Sequence, residues 1–501
     1  MSLTKIYSEL SKEGFFLLIG RIISVVLMGV TSILIARYLE PENYGLYSII
    51  LFIPSFLIPI SDLGISQSLL YFIAKNISSD KKIETSQIIM TGLLLKITSL
   101  FIITTLVIVF SVNISIFINR PYAYKLIQIS SIFLFSSSLF ETINYIFIGY
   151  KKAKISSVLI ILQSMIRLLF TLIFIKYEFQ VMGLLFVTGF GYFITSLIGI
   201  CYIYIFFIRN IKIDNLNILF NIKNILHYGY PLYISLVIYN IREQLLNLII
   251  VNNVTNELIG NFSSVKNIMQ IILMIIIVIQ TTLFQAFSEL QYSINKYIIT
   301  EIYNKSIKYV SLTILPVVSI FIFYSKNIIE LLYGQKYYYS DIYLSYYMII
   351  FAILPFGYYI NDSLLNSQGY TGIIFYKSII NFLISIILAI YTIPIYGING
   401  LIFTSILSIF ISNTYILYKI KHIFEFNFNY KEKFKILFSS IIPGFLSINI
   451  INFLNLYNSL YNIVVGAFIY AIIYLFLCYY LKIINNEDFL FIKNNLYRIK
   501  K

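Results

Sequence analysis

Gly183-Leu184-Leu185-Phe186-Val187-Thr188 returns 217 residues later as Gly400-Leu401-Ile402-Phe403-Thr404-Ser405. Ile143-Asn144 and Ile360-Asn361 keep the same interval of 217. A third pair, Glu42-x-x-Gly45-x-Tyr47-Ser48 and Glu257-x-x-Gly260-x-Phe262-Ser263, is offset by 215. A chain this rich in Ile, Leu and Phe produces single chance matches, but three at nearly one offset mark a duplicated unit of about 216 residues. In a membrane chain, duplicated halves point to a transporter with its substrate path between them.

The membrane assignment follows from composition. The 501 residues are 59% hydrophobic and 11% charged, with a mean hydropathy of +0.87, which no soluble domain of that length needs. Apolar runs of about 20 residues recur, each long enough to cross the ~30 Å hydrocarbon core as a helix. They are continuously apolar and lack the two-residue alternation of a transmembrane barrel. The formal charge of +15 sits mostly in short segments between the runs, which argues against a nucleic-acid partner. His227 and His422 are isolated, so a His metal site is not expected, and Cys201 and Cys478 fall in apolar runs and read as small hydrophobes. No G-x-x-x-x-G-K-S/T, H-E-x-x-H or G-x-S-x-G pattern occurs, and no hydrophilic segment exceeds about 22 residues. An enzyme, a soluble catalytic domain and a bound cofactor are therefore not expected.

The pattern predicts an all-α integral membrane fold with fourteen spans. Six lie near 14–36, 45–74, 87–110, 126–149, 156–176 and 181–208. Six more, near 229–251, 258–287, 309–325, 342–367, 373–394 and 398–418, match them under the repeat, and two follow at 436–453 and 461–481. The expected domains are an N-terminal six-helix bundle (1–208), a cytoplasmic linker (209–228), a second six-helix bundle (229–418), and a basic loop, two further helices and a cytoplasmic tail (419–501). An even number of spans per half makes the halves parallel, related by an axis along the membrane normal. With the N-terminus inside, inner segments hold 24 of the 36 Lys and Arg and outer loops hold 6, counting Lys176 at the outer end of its span, which puts both termini in the cytoplasm. The basic 419–435 segment reads as a topology anchor attracted to anionic membrane lipid. The first apolar run is too long for a cleaved signal and contains Arg21.

Ala36-Arg37-Tyr38-Leu39-Glu40-Pro41-Glu42-Asn43-Tyr44-Gly45-Leu46-Tyr47-Ser48 resembles a hallmark of bacterial polysaccharide flippases, A-R-x-L-x-P-x-x-Y-G-x-Y-S. These belong to the multidrug/oligosaccharidyl-lipid/polysaccharide (MOP) exporter superfamily. Ser61-Asp62-Leu63-Gly64-Ile65 is similar to the family's D-L-G turn. Leu331-Leu332-Tyr333-Gly334 resembles its L-x-x-G segment, and Ile393-Pro394-Ile395-Tyr396-Gly397-Ile398-Asn399-Gly400 its I-P-x-Y-G-x-x-G loop. The resemblance covers nearly the whole chain. It implies two six-helix bundles around a central cavity, and export of a polyprenyl-diphosphate-linked oligosaccharide to the outer leaflet of the bacterial cytoplasmic (inner) membrane. It implies alternating access without ATP hydrolysis, serving O-antigen or capsule assembly beside a polysaccharide polymerase and ligase. The Ala36–Ser48 motif also has a plain structural reading, in which Pro41 and Gly45 turn the chain between spans 1 and 2.

Charges at membrane depth are expensive and face an interior or a watery cavity. The basic ones are Arg21, Lys96, Arg167, Arg242, Lys266 and Lys377; the acids are Asp62, Glu141, Glu243 and Asp362. At ~1.5 Å per residue, Arg242 lies roughly 20 Å from the inner end of its span, Arg167 and Lys96 roughly 15 Å and Arg21 roughly 10 Å. Lys377 is close enough to an interface to snorkel, and Asp362 falls at the cytoplasmic edge, where solvation is expected. A diphosphate would be held by a cationic lining, with Arg preferred for its planar fork. The candidate ligands are Arg21, Arg242, Arg167 and Lys96; the rival reading pairs them with Glu141, Glu243 and Asp62 to hold helices together. Arg242 and Glu243 project about 100° apart on one helix, so each is expected to have its own partner. Outward movement of the anion could be driven by an inside-negative potential or by H⁺ or Na⁺ carried on Glu141 or Glu243. A lipid II flippase of the same superfamily and an integral-membrane polysaccharide polymerase are the rival functions. A cation-drug exporter would need an acidic pocket, and the polymerase an outer loop longer than 111–125 or 326–341.

Overall fold

The computed structural model describes residues 3–79, 81–209, 218–288, 290, 292–426, 429–454 and 459–483. The expected tail beyond 483 and the centre of the expected linker, 210–217, lie outside them. All regular structure among the described residues is helical. The helices are α1 (Leu3–Asp62), α2 (Ile65–Ser78), α3 (Lys82–Val109), α4 (Ser111–Phe117), α5 (Tyr124–Gly149), α6 (Ala153–Lys176), α7 (Val181–Ile203) and α8 (Ile218–Asn253). They continue as α9 (Asn256–Ser288), α10 (Tyr292–Phe323), α11 (Ser325–Tyr333), α12 (Ser340–Met348), α13 (Ile360–Ser367), α14 (Thr371–Phe424), α15 (Tyr430–Leu454) and α16 (Ser459–Tyr480). Among the described residues ten helices are long and apolar enough to cross a membrane, or eleven with the bent pair Ser340–Phe356 and Ile360–Ser367. In lipid each backbone polar group needs a partner within the protein, and helices supply it.

Two of the ten, Ile19–Asp62 and Thr371–Phe424, are each divided by a backbone break. In α1 the break is Glu40, at φ 61° and ψ 170°, directly before Pro41. Proline lacks an N–H and pushes the residue before it out of the helical region, so the expected turn falls there. In α14 the break is Gly397, at φ 57° and ψ −129°, three residues after Pro394. The D-L-G segment separates α1 from α2 with Leu63 at φ 51° and Gly64 at φ 76°. A fourth break bends a span by 46°; there Gly357 (φ 79°) and Tyr359 (φ 71°) interrupt the chain before α13.

The duplication is visible in element order. The run α3, short α4, α5 is repeated as α10, short α11, α12. The repeated Asn residues both tie helices together: Ser156 Oγ donates to Asn144 Oδ1 at 2.6 Å, and Tyr303 OH donates to Asn361 Oδ1 at 2.7 Å. The halves differ in where a span is broken. The first interrupts its second span at Leu63–Gly64, and the second interrupts its fourth at Gly357–Tyr359.

Contacts group the chain into two compact units, Met1–Asn267 and Ile268–Lys501. In that grouping α8 and the first turns of α9 pack on helices of the first half. In the first unit Ile35, Ile50, Leu69, Ile143, Phe147 and Leu184 are fully buried. Ser68 Oγ donates to Ile225 O of α8 at 2.8 Å, and a Cβ built on Gly64 would lie 2.4 Å from Gly229 O. In the second unit α15 and α16 pack on α10: Ser319 Oγ and Tyr470 OH both donate to Ser440 O, at 2.7 and 2.8 Å. Tyr474 OH donates to Leu312 O at 2.9 Å.

Candidate functional site

Arg167 projects from α6 among tyrosines of α1 and α7. Its Nη2 donates to Tyr47 OH at 3.2 Å, and its Nε is buried with no acceptor. It has no carboxylate partner among the described residues. Gly191 of α7 lets that helix come close, since a Cβ there would stand 3.4 Å from the Arg167 Cβ. The next residue, Tyr192, is also within electrostatic reach of Arg167 and is boxed edge-on by Phe133 and Phe140 at 5.6 and 5.5 Å. The result is a guanidinium with unused hydrogen-bonding capacity inside a membrane span, ringed by phenols.

A second group lies around the α1–α2 break. Lys96 of α3, 1% exposed, meets Asp62 Oδ1 at 2.5 Å. Asp62 also accepts from Ser66 Oγ at 2.5 Å, at the negative-charge-favouring start of α2. Glu141 of α5 is exposed and carries no ion pair among the described residues; the charges acting on it are Asp62, Lys96 and Arg21. Arg21 is exposed on α1 without an ion-pair partner among the described residues. Lys96 is therefore engaged by a carboxylate, whereas Arg21 and Arg167 are not.

The third group corrects an expectation. Arg242 Nη1 lies 2.6 Å from Glu243 Oε1, so the two neighbours on α8 do pair. Both side chains are long enough to close the 100° between them. Lys266 of α9 donates to Asn247 Oδ1 at 3.3 Å and lies 5.0 Å from the Phe262 ring centroid. In the second unit Asp362 is not left to solvent: both of its oxygens accept from Lys377, at 2.8 and 2.7 Å.

The sequence profile of the family described as "Polysaccharide biosynthesis protein" matches residues 10–291, more than half of the chain. The chain belongs to the polysaccharide biosynthesis protein family. Solved structures share the fold of this family member. Lipid II flippase MurJ, in an inward closed conformation, superposes with a TM-score of 0.72 at 16% identity, over 93% of this chain and 99% of its own. An inward-facing multidrug resistance MATE family transporter gives 0.64 at 17%, over 80% and 94%. A MOP superfamily transporter from Pyrococcus furiosus gives 0.53 at 18%, over 84% and 96%. No curated protein matches in sequence. These solved structures are of a flippase and transporters.

Two features of this polysaccharide biosynthesis protein escaped the reading of its sequence. One is the phenol ring around Arg167, although Tyr44 and Tyr47 lie in the Ala36–Ser48 motif. The other is Arg120, which donates to Ile118 O (2.9 Å), Val251 O (2.6 Å), Val254 O (3.0 Å) and Asn256 Oδ1 (2.9 Å). It clamps the turn between α8 and α9, where the carbonyls at the end of α8 favour a cation. Burial pushes the Arg120 pKa down and the neighbouring Tyr122 pushes it back up. The available signal was its position, an arginine on the side where the charge bias leaves few cations.

Proposed function

We propose that this protein flips polyprenyl-diphosphate-linked oligosaccharide repeat units from the cytoplasmic to the outer leaflet, by alternating access, for surface polysaccharide assembly. The observation that carries this reading is Arg167: a guanidinium at membrane depth with an unsatisfied Nε and no carboxylate partner among the described residues. A diphosphate supplies paired oxygens for such a fork, and tyrosine hydroxyls can donate to the same anion. Arg21, exposed and not ion-paired among the described residues, is a second contact at shallower depth. Arg242, which pairs with Glu243, is a further contact, and Lys96 acts through its pair with Asp62 and not as a free ligand. Glu141 is the group suited to carry H⁺ or Na⁺ if transport is ion-coupled, because it is exposed and not ion-paired among the described residues.

The accompanying topology is fourteen crossings in the bacterial inner membrane. α15 and α16 follow the two six-helix bundles, and both termini are cytoplasmic. A polysaccharide polymerase and ligase act on the delivered units. The test uses purified protein in liposomes with a labelled lipid-linked glycan. Movement of label between leaflets without chain growth supports the reading. Chain growth, or equal movement by an Arg167→Gln variant, overturns it. A lipid II substrate is the second reading, favoured by the MurJ fold match over 99% of that chain. Depletion separates the two: lipid-linked repeat units accumulate inside under the first, and peptidoglycan precursor under the second.

A further inference from the structure

The two copies of the Glu-x-x-Gly motif, 215 residues apart, meet each other in the first unit. A Cβ on Gly45 would lie 1.7 Å from Asn256 O and 2.9 Å from Gly260 N. A Cβ on Gly260 would lie 1.8 Å from Pro41 O and 2.8 Å from Gly45 N. Each glycine thus sits on the carbonyl four residues before the other, a reciprocal contact of α1 with α9 that only hydrogen side chains permit. Tyrosines flank Gly45 on both sides and stack with centroids 6.0 Å apart. Tyr44 OH accepts from Asn267 Nδ2 at 2.7 Å, on α9 itself. Tyr47 OH accepts from Arg167. The segment that makes the glycine contact is therefore held on one side by the opposing helix and on the other by the candidate anion site.

We propose that Tyr47 is a positioning residue that couples occupancy of Arg167 by a diphosphate to closure of the Gly45–Gly260 contact. The proposal rests on the reading of Arg167 given above. An anion that satisfies the orphaned Nε in bidentate fashion uses the Nε–Nη2 edge and competes for the Nη2 that Tyr47 now holds. Tyr47 lies two residues from Gly45 in the same helical turn. Displacing its hydroxyl shifts the segment on which the backbone contact depends. Packed contacts of this kind are bistable, so a sub-ångström shift suffices to open them.

Asn119 and Asn252, whose side-chain amides lie 3.3 Å apart beside the Arg120 clamp, provide the reporter. The paired variant N119C/N252C, in a background with Cys201→Ser and Cys478→Ser, is cross-linked in nanodiscs by a short bis-thiol reagent. Undecaprenyl diphosphate is the probe, and its binding is measured separately. In the parent the lipid slows cross-linking several-fold. Tyr47→Phe, compared at lipid concentrations that give the parent's measured occupancy, loses that response. Tyr44→Phe lowers the basal rate and keeps the response. A Tyr47→Phe protein with the parent's response overturns the coupling, as does a Tyr44→Phe protein that loses it equally, since the effect would then be general loosening. A parent that does not bind the lipid, or an Arg167→Lys protein that binds it as tightly, overturns the underlying reading instead.

Discussion

Two cations of the first unit illustrate opposite uses of membrane charge. Lys96 is buried against Asp62, and removing one partner leaves the other charge uncompensated. Lys96→Met should therefore lower stability by roughly 3–5 kcal/mol, and the double variant with Asp62→Asn should recover most of it, as read by thermal unfolding in detergent. A ligand role for Lys96 would give the reverse pattern, with stability kept and binding lost. Arg167 has no charge to leave behind. Arg167→Lys removes the Nε and the fork but keeps the cation, so stability should hold while affinity for undecaprenyl diphosphate falls about tenfold or more, about 1.4 kcal/mol per factor of ten. Membrane depth made both residues visible in sequence, but it did not distinguish them. Asp62 and Lys96 are 34 positions apart, and only the folded chain shows which acid reaches which base. Arg242 and Glu243 went the other way, since helical angle argued them apart and side-chain length brought them together.

At the scale of elements, the breaks matter more than the helices. Pro41 and Pro394 announce two of them, because proline disrupts the helix at a place sequence can name. The Gly357–Tyr359 break sits in an aromatic apolar run, Pro355-Phe356-Gly357-Tyr358-Tyr359, that reads as uninterrupted span. Its partners are remote: Gln280 Nε2 donates to Tyr359 O at 3.0 Å, from another helix. The glycine contact gives the clearest element-scale prediction. Gly45→Ala and Gly260→Ala each place a methyl on an opposing carbonyl, so each should separate α1 from α9 and cost about 1–3 kcal/mol or more. Cross-linking at 119/252 should fall in both variants, with or without lipid. Gly64→Ala, at φ 76° and against Gly229 O, should destabilise through both strain and contact.

For the whole molecule, the proposed movement of an anion ties transport to the membrane potential. An inside-negative potential favours outward movement of an anion by ~2.3 kcal/mol per charge per 100 mV. Flux in liposomes should therefore rise when a potassium diffusion potential of that sign is imposed, and Glu141→Gln should keep the response. Flux that ignores potential, follows a proton gradient and disappears in Glu141→Gln would assign the work to ion coupling. Fold class, duplication and most element boundaries were legible at this scale because hydropathy and repeat offset are sums over many residues. The compact boundary within α9 was not, because it depends on close approaches such as Gly64 to Gly229 that no composition reports.

The reciprocity of the Gly45–Gly260 contact has a historical meaning. A patch that meets its own duplicate, each glycine on the other's carbonyl, is the geometry of a two-fold homodimer. The unit of about 216 residues would then descend from a free subunit that paired with itself through this glycine before fusion joined two copies. Fusion allowed the copies to diverge, which a homodimer cannot do. The phenol-ringed arginine could then arise on one side alone, and the broken span could move from one position in the first copy to another in the second.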